Sequence, residues 1–322
     1  MRKIRWGVLG TADIARGQTI PGMKLAQNCE LYAVAGRRME KAEQYKKEFG
    51  FQKAYEGYDA LLADPEVEAV YIPLPNDLHA GWSVKALQAG KHVLCEKPLA
   101  PTEAEAKRMF QAAEENNVFL MEAFAYLHSP AVAALKQEID SGAVGEVRFI
   151  DSAFITGRRP DTDIRMIRDN FGGAQYDLGC YAVSMILWLM GREPLDVKAV
   201  AHFSDGGVDL ETSALLLFEN DIAAGADCGM VPGVSRLDRF HVMGTEGEIH
   251  SALEFNQCGE ISYTVCRGGK SVTKTLTVPN NYQLEVEQLG RCIADGETPH
   301  VSKEFSLRVA RVTDRILQAA GY

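Results

Sequence analysis

Three residues of this chain have the types and surroundings for proton chemistry. Lys97 stands in Glu96-Lys97-Pro98, directly after the short apolar run 92–95. An ammonium held at the end of a strand can polarise a hydroxyl or carbonyl and assist proton transfer. Pro98 fixes the direction of the loop that follows. Glu96 can pair with the lysine or with ligand hydroxyls. Asp177 and Tyr181 lie four apart in GGAQYDLGCYAVSMILWLMG, which puts them on one face of a helix. The rest of that helix is apolar, so two polar groups on it need partners. A satisfied Asp–Tyr hydrogen bond in a core meets that need. So does a proton-transfer pair acting with Lys97, because a neighbouring ammonium lowers a tyrosine's pKa towards working as an acid and base.

A second set of residues suits a dinucleotide. The first strand-to-helix turn reads GVLGTADIARG, in which Gly10-x-Ala12-x-x-Ala15 stands for G-x-G-x-x-G/A. Gly10, Thr11, Ala12 and Ile14 would then border a pyrophosphate held by a tight turn and the free N–H groups of a helix start. Ala12 departs from the pattern where a missing Cβ matters most, and a plain turn of small residues reads the same way. The second strand ends in Ala35-Gly36-Arg37-Arg38. NAD sites place an Asp or Glu here for the ribose 2′-hydroxyl. Arg37 and Arg38 instead suit a 2′-phosphate and stacking on adenine, so NADP is expected ahead of NAD. A solvated helix start is the alternative. The segment IPLPNDLHAGW sets Pro75, Asn76 and His79 at the carboxyl end of a strand, where open α/β sheets bind ligands. Glu96 and Lys97 complete the cofactor set. No His/Cys/Asp cluster has ligand spacing, and no metal is expected.

The pattern of the chain predicts the elements that position these groups. Strands over 4–9, 30–35, 69–74, 92–95 and 118–121 alternate with helices over 13–25, 39–49, 78–89 and 102–116, the last opened by a Thr102/Glu105 capping box. Such alternation implies a doubly wound parallel sheet. Beyond residue 122 a helix opened by Ser129-Pro130 is followed by strand-like runs over 147–155, 197–203, 212–218, 223–228, 240–243, 261–266 and 271–278, then by helices over 283–294 and 306–319. Many strands with few helices between them imply a mostly antiparallel sheet. The expected fold class is α/β. Residues 1–121 are expected to form an NAD(P)-binding Rossmann domain, and 122–322 a substrate-binding and oligomerisation domain with an open sheet.

Composition narrows the partners. The 322 residues are 46% apolar and 24% charged, with net charge −10 and pI near 5.3. That balance argues against nucleic acid or an anionic membrane as the main partner. MRKIRWGVLG lacks a long apolar region and a cleavage site, so no signal peptide is expected. The longest apolar stretch, near 181–190, is too short to span a bilayer. Seven cysteines without a CxxC read as reduced thiols of a cytoplasmic protein.

Six segments, in order, resemble one family: GVLGTADIA, AGRR, PNDLH, AGKHVLCEKPLA, MEAF and DLGCYAV. The chain resembles the Gfo/Idh/MocA oxidoreductases over nearly its whole length. With Tyr181 where many members carry His, it resembles the dimeric dihydrodiol dehydrogenase and xylose dehydrogenase branch. The resemblance implies a Rossmann domain, a C-terminal domain whose open sheet faces a partner subunit in a homodimer or homotetramer, tightly held NAD(P), and a cis Lys97–Pro98 peptide. It implies hydride transfer between nicotinamide and a sugar, polyol or cyclic diol, with Lys97 and Tyr181 catalytic and Asp177 assisting. Redox-neutral glycosidase or lyase chemistry, and nucleotide sensing without catalysis, are the other activities on this fold. Retention of Lys97 and Tyr181 argues against the last. The chain departs from the branch at Leu127, where an Arg is frequent, at His128-Ser129, and at Gln175, and these departures bear on the substrate.

Overall fold

The structure is a computed structural model that describes residues 2–251 and 254–322. The chain forms two compact units. One runs to His128 and takes in Pro279–Ser306; the other comprises Ser129–Val278 and Leu307–Tyr322. This division differs from a single cut after residue 121, and long-range packing is the reason. Helix Asn281–Asp295 packs on helix Ile20–Leu25 and on the turn Ala125–His128. Gly22 makes the close approach feasible, since a Cβ there would lie 2.6 Å from Tyr282 Cβ. Asn28 Nδ2 donates to the Glu287 carbonyl at 2.8 Å, and the Gln27 N–H donates to the Glu287 carboxylate at 3.0 Å.

The first unit holds a sheet of strands β1 (Ile4–Leu9), β2 (Cys29–Gly36), β3 (Lys53–Glu56), β4 (Ala69–Ile72), β5 (His92–Glu96) and β6 (Leu120–Ala123). Their order is β3-β2-β1-β4-β5-β6 and every pairing is parallel. This is the doubly wound dinucleotide-binding order, and it reverses between β1 and β4. All four residues of β4 are buried, as expected of a strand covered on both faces. Thr102 caps helix Glu103–Glu115 by accepting from the Glu105 N–H at 3.3 Å, as its sequence predicts.

The second unit holds β7 (Val147–Thr156), β8 (Asp196–Phe203), β9 (Asp209–Leu217), β10 (Ala223–Met230), β11 (Arg236–Gly244), β12 (Gly247–Ser251), β13 (Gly259–Arg267) and β14 (Lys270–Val278). Their order is β14-β13-β12-β11-β7-β10-β9-β8; β7 and β10 pair in parallel and all other neighbours are antiparallel. Helix Cys180–Met190 packs on β7 and β10. Burial alternates along β9: Thr212, Ala214 and Leu216 point inward, and Glu211, Ser213 and Leu215 outward. One face of the sheet is therefore core and the other is open.

Candidate active site

At the carboxyl ends of β1, β2 and β4 the first unit opens a cleft of about 330 Å³, a size within the range of small-molecule sites. Six of the sequence-predicted residues share its wall: Gly10, Thr11, Ala12, Arg37, Arg38 and Pro75. Gly10 has φ +122, which only glycine adopts without strain, and this turns the chain from β1 into the helix. Arg37 and Arg38 are exposed and, among the described residues, their guanidinium groups make no hydrogen bond or ion pair. Two unneutralised cations thus border a cleft whose one lining carboxylate, Asp13, comes from the turn after β1 and not from the end of β2. The sequence reading did not single out Arg16, Lys41, Tyr45 or Tyr58, which also line the cleft. Arg16 is already paired with Glu48 at 2.9 Å. Ile14, Asn76, His79, Glu96 and Lys97 lie outside this wall.

Around Lys97, the same unit fixes the loop with buried polar contacts. The Lys97–Pro98 peptide is cis, as the resemblance implies. Thr19 Oγ1 donates to Tyr71 Oη at 2.8 Å, and Tyr71 Oη donates to Glu96 Oε1 at 2.6 Å. The other Glu96 oxygen accepts the Lys97 N–H at 3.3 Å. His79 is fully buried, with Nδ1 2.8 Å from the Pro98 carbonyl and Nε2 2.7 Å from the Leu74 carbonyl. Both ring nitrogens are thereby engaged, and His79 ties the loop after β4 to the loop after β5. Burial lowers its pKa, against the two carbonyls that favour its charged form. Glu122, in the MEAF segment, accepts the Leu99 N–H at 2.8 Å and so holds the next residue but one beyond Lys97. Glu285, from the returning helix, is fully buried, and among the described residues neither carboxylate oxygen has a hydrogen-bond partner; burial raises its pKa well above the ordinary range, and Glu96 adds to the rise.

Glu122 yields a pH prediction. Burial pushes its carboxyl up to about 7 from an ordinary 4.5, offset in part by Ser306, by the Leu99 N–H and by Lys97. A raised acid binds its proton more tightly folded than unfolded. Its contribution is therefore full below pH 4.5 and is lost as pH rises to about 7, by up to roughly 3 kcal/mol. Glu122→Gln keeps an acceptor for Leu99 and removes the titration. In urea unfolding from pH 5 to 8, the variant should gain stability relative to the parent as pH rises; a constant difference would exclude this role.

In the second unit, Tyr181 lies in the first turn of helix Cys180–Met190, and Asp177 in the wide π-type turn Gln175–Gly179 that leads into it. Such turns recur at functional sites. Tyr181 is 8% exposed; its ring packs edge-on against Phe154 at 5.3 Å and tilted against Phe255 at 5.1 Å. Asn256 Nδ2 donates to its hydroxyl at 3.2 Å. Asp177 is ion-paired with Arg165, Nε to Oδ2 at 2.9 Å, and this neighbour raises the arginine's pKa. Neither Arg165 nor Asn256 carries a spacing signal in the sequence. Gln175 is buried; its N–H donates to Asp209 Oδ2 at 2.7 Å and its Oε1 accepts from Cys228 Sγ at 3.6 Å. Leu127 is buried and His128 half-buried in the first unit; desolvation of the His128 ring and the neighbouring His300 hold its pKa well below its usual value.

Comparison with known proteins agrees with this geometry. Residues 4–124 match the Gfo/Idh/MocA description "oxidoreductase family, NAD-binding Rossmann fold", and residues 132–250 match the C-terminal domain of the same family. The chain belongs to the Gfo/Idh/MocA family. This family member is an NAD(P)-dependent oxidoreductase. It is 35% identical to a D-xylose 1-dehydrogenase (NADP(+)) of Haloferax volcanii, with 98% of this chain and 97% of that one covered. It is 29% identical to a trans-1,2-dihydrobenzene-1,2-diol dehydrogenase of Xenopus laevis, with 98% of each covered. Among solved structures it is similar to a 3-ketoreductase of Actinomadura kijaniata in complex with NADP and TDP-benzene, with TM-score 0.92, 31% identity and coverage of 99% and 98%. Among the described residues no helix is long and apolar enough to cross a membrane.

Proposed function

We propose that this Gfo/Idh/MocA member is an NADP-dependent dehydrogenase or reductase of a carbohydrate-like substrate, working on a carbinol or its carbonyl. The carrying observation is the pair of unpartnered guanidinium groups, Arg37 and Arg38, beside the Gly10 turn, with no acid at the end of β2. A 2′-phosphate supplies the charge that this wall lacks, and an NAD ribose does not. The positive-φ turn at Gly10 and the cations around it fit a dinucleotide phosphate. Relatives named for D-xylose, a dihydrodiol and a keto sugar nucleotide support an oxygen-rich substrate.

When bound, NADP supplies the hydride acceptor, and its reduced form the donor. Tyr181 takes the substrate's hydroxyl proton in oxidation and returns it in reduction. The Lys97 ammonium can stabilise negative charge that develops during the reaction. Glu96 and His79 hold the loop that carries Lys97, and Asp177, anchored by Arg165, fixes the turn that leads into Tyr181. The test is a panel of aldoses, polyols and cyclic diols with NADP or NAD, followed by absorbance of reduced nicotinamide. Reduction with NADP is expected. Product without net reduction would put redox-neutral chemistry in its place, and faster turnover with NAD would overturn the cofactor assignment.

The proposal includes a homodimer or homotetramer built through the open face of the second unit's sheet. Val200, Leu215 and Leu237 stand on that face at 71%, 39% and 41% exposure, and apolar area of this kind calls for cover. Static light scattering should give at least twice the chain mass; a stable monomer at micromolar concentration would contradict it. Seven cysteines without a disulfide fit a reducing, cytoplasmic setting.

A further inference from the structure

On the open face of the same sheet, away from Tyr181's ring cluster, three potential metal ligands converge. His241 on β11 and His250 on β12 are direct cross-strand partners, and Glu248 lies two residues before His250, on the same side of its strand. Side chains two apart on a strand share a face, so the antiparallel register brings all three to one spot. One ligand atom from each lies within 4.8 Å of the other two. His241 Nε2 is 2.9 Å from Glu248 Oε2, and the two imidazole rings stand edge to face at 6.0 Å. The His241–Glu248 contact satisfies two of the groups, but it does not explain why a second imidazole converges on them.

We propose that His241, Glu248 and His250 form a binding site for a borderline divalent cation, Zn²⁺ or a close relative. Two imidazoles and a carboxylate are a ligand set that such ions take, with further positions left for water. Bonds of about 2.0–2.1 Å hold tetrahedral ligand atoms roughly 3.3 Å apart. The widest separation must therefore close by up to about 1.5 Å and the His241–Glu248 pair open slightly, which side-chain rotation supplies at half-buried and exposed positions. All three ligands come from one hairpin, so one copy of the chain supplies the whole set, on the face proposed above to meet a partner subunit. The site also contains no residue of the cleft and none assigned to proton transfer, so its loss leaves the proposed reaction in place. A bound ion would cross-link β11 to β12 and stabilise the folded chain by mass action.

Chelator-stripped protein titrated with Zn²⁺ against a chromophoric competitor should take up one ion per chain, with a saturable rise in Tm. His250→Gln and Glu248→Gln, checked for folding by circular dichroism, should each weaken this uptake about tenfold or more. Cys258→Ser, which removes the exposed thiol, should leave it unchanged. Absence of uptake, or uptake that neither hairpin variant weakens, would overturn the proposal. So would uptake abolished by Cys258→Ser.

Discussion

Tyr181→Phe is expected to lower kcat by roughly 10²–10⁴-fold, the usual contribution of a positioned acid–base group, while leaving fold and nucleotide binding in place. The substitution keeps the ring, and with it the packing against Phe154 and Phe255. It removes the hydroxyl that accepts from Asn256 Nδ2, at a cost of about 1 kcal/mol in stability, too little to unfold an ordinary domain. Lys97→Ala should reduce turnover to a similar degree. The double variant should be little worse than either single one, because residues that serve one step do not contribute additively. Steady-state turnover on the substrate found in the panel, with nucleotide affinity followed separately by fluorescence, makes the comparison. Turnover near the parent's in Tyr181→Phe would remove the tyrosine from the reaction and make Asp177 the next candidate.

The second large effect concerns the cofactor. Arg37→Ala should weaken NADP binding by about 1.5–3 kcal/mol, tenfold or more, since a charge-assisted contact to phosphate is lost. NAD binding should change far less. Because both Arg37 and Arg38 are exposed, the effect should shrink as salt rises. Equal losses for both nucleotides would mean that the arginines serve general electrostatics and do not read the 2′-phosphate.

The sequence made the parallel sheet legible because strands covered on both faces appear as unbroken apolar runs; β4 is such a run. β3 lacked that signal. Its Lys53–Glu56 segment is a half-buried edge strand of four residues with a charge at each end. β12 was missed for a similar reason, being only five residues long. The helical period of Asn281–Asp295 could be seen, but the unit it joins could not, since its partners lie some 260 positions away, at Gln27 and Asn28. Within the site, Arg37 and Arg38 were found through a missing acid. Arg16 and Lys41 reach the same cleft by helical geometry that no motif encodes. His79 was expected at the ligand edge. It sits at that loop, but buried, because two backbone carbonyls claim its ring. Asp177 was expected to need a partner, and the partner, Arg165, comes from an irregular segment with no pattern to read.

The returning helix also orders events during synthesis. A chain made from its N-terminus has exposed every strand of the first unit's sheet long before Asn281–Asp295 exists. Until that helix emerges, Gly22 has no tyrosine backbone to pack against, and the Asn28 amide and the Gln27 N–H lack their native acceptors. When Ser306 leaves the ribosome, Leu307–Tyr322 is still to be made, and that segment belongs to the other unit. The nucleotide-binding half, though begun first, therefore cannot close until residue 306 has been made. A nascent chain halted between residues 124 and 280 presents a complete parallel sheet with one flank still open, which is the kind of intermediate that chaperones hold.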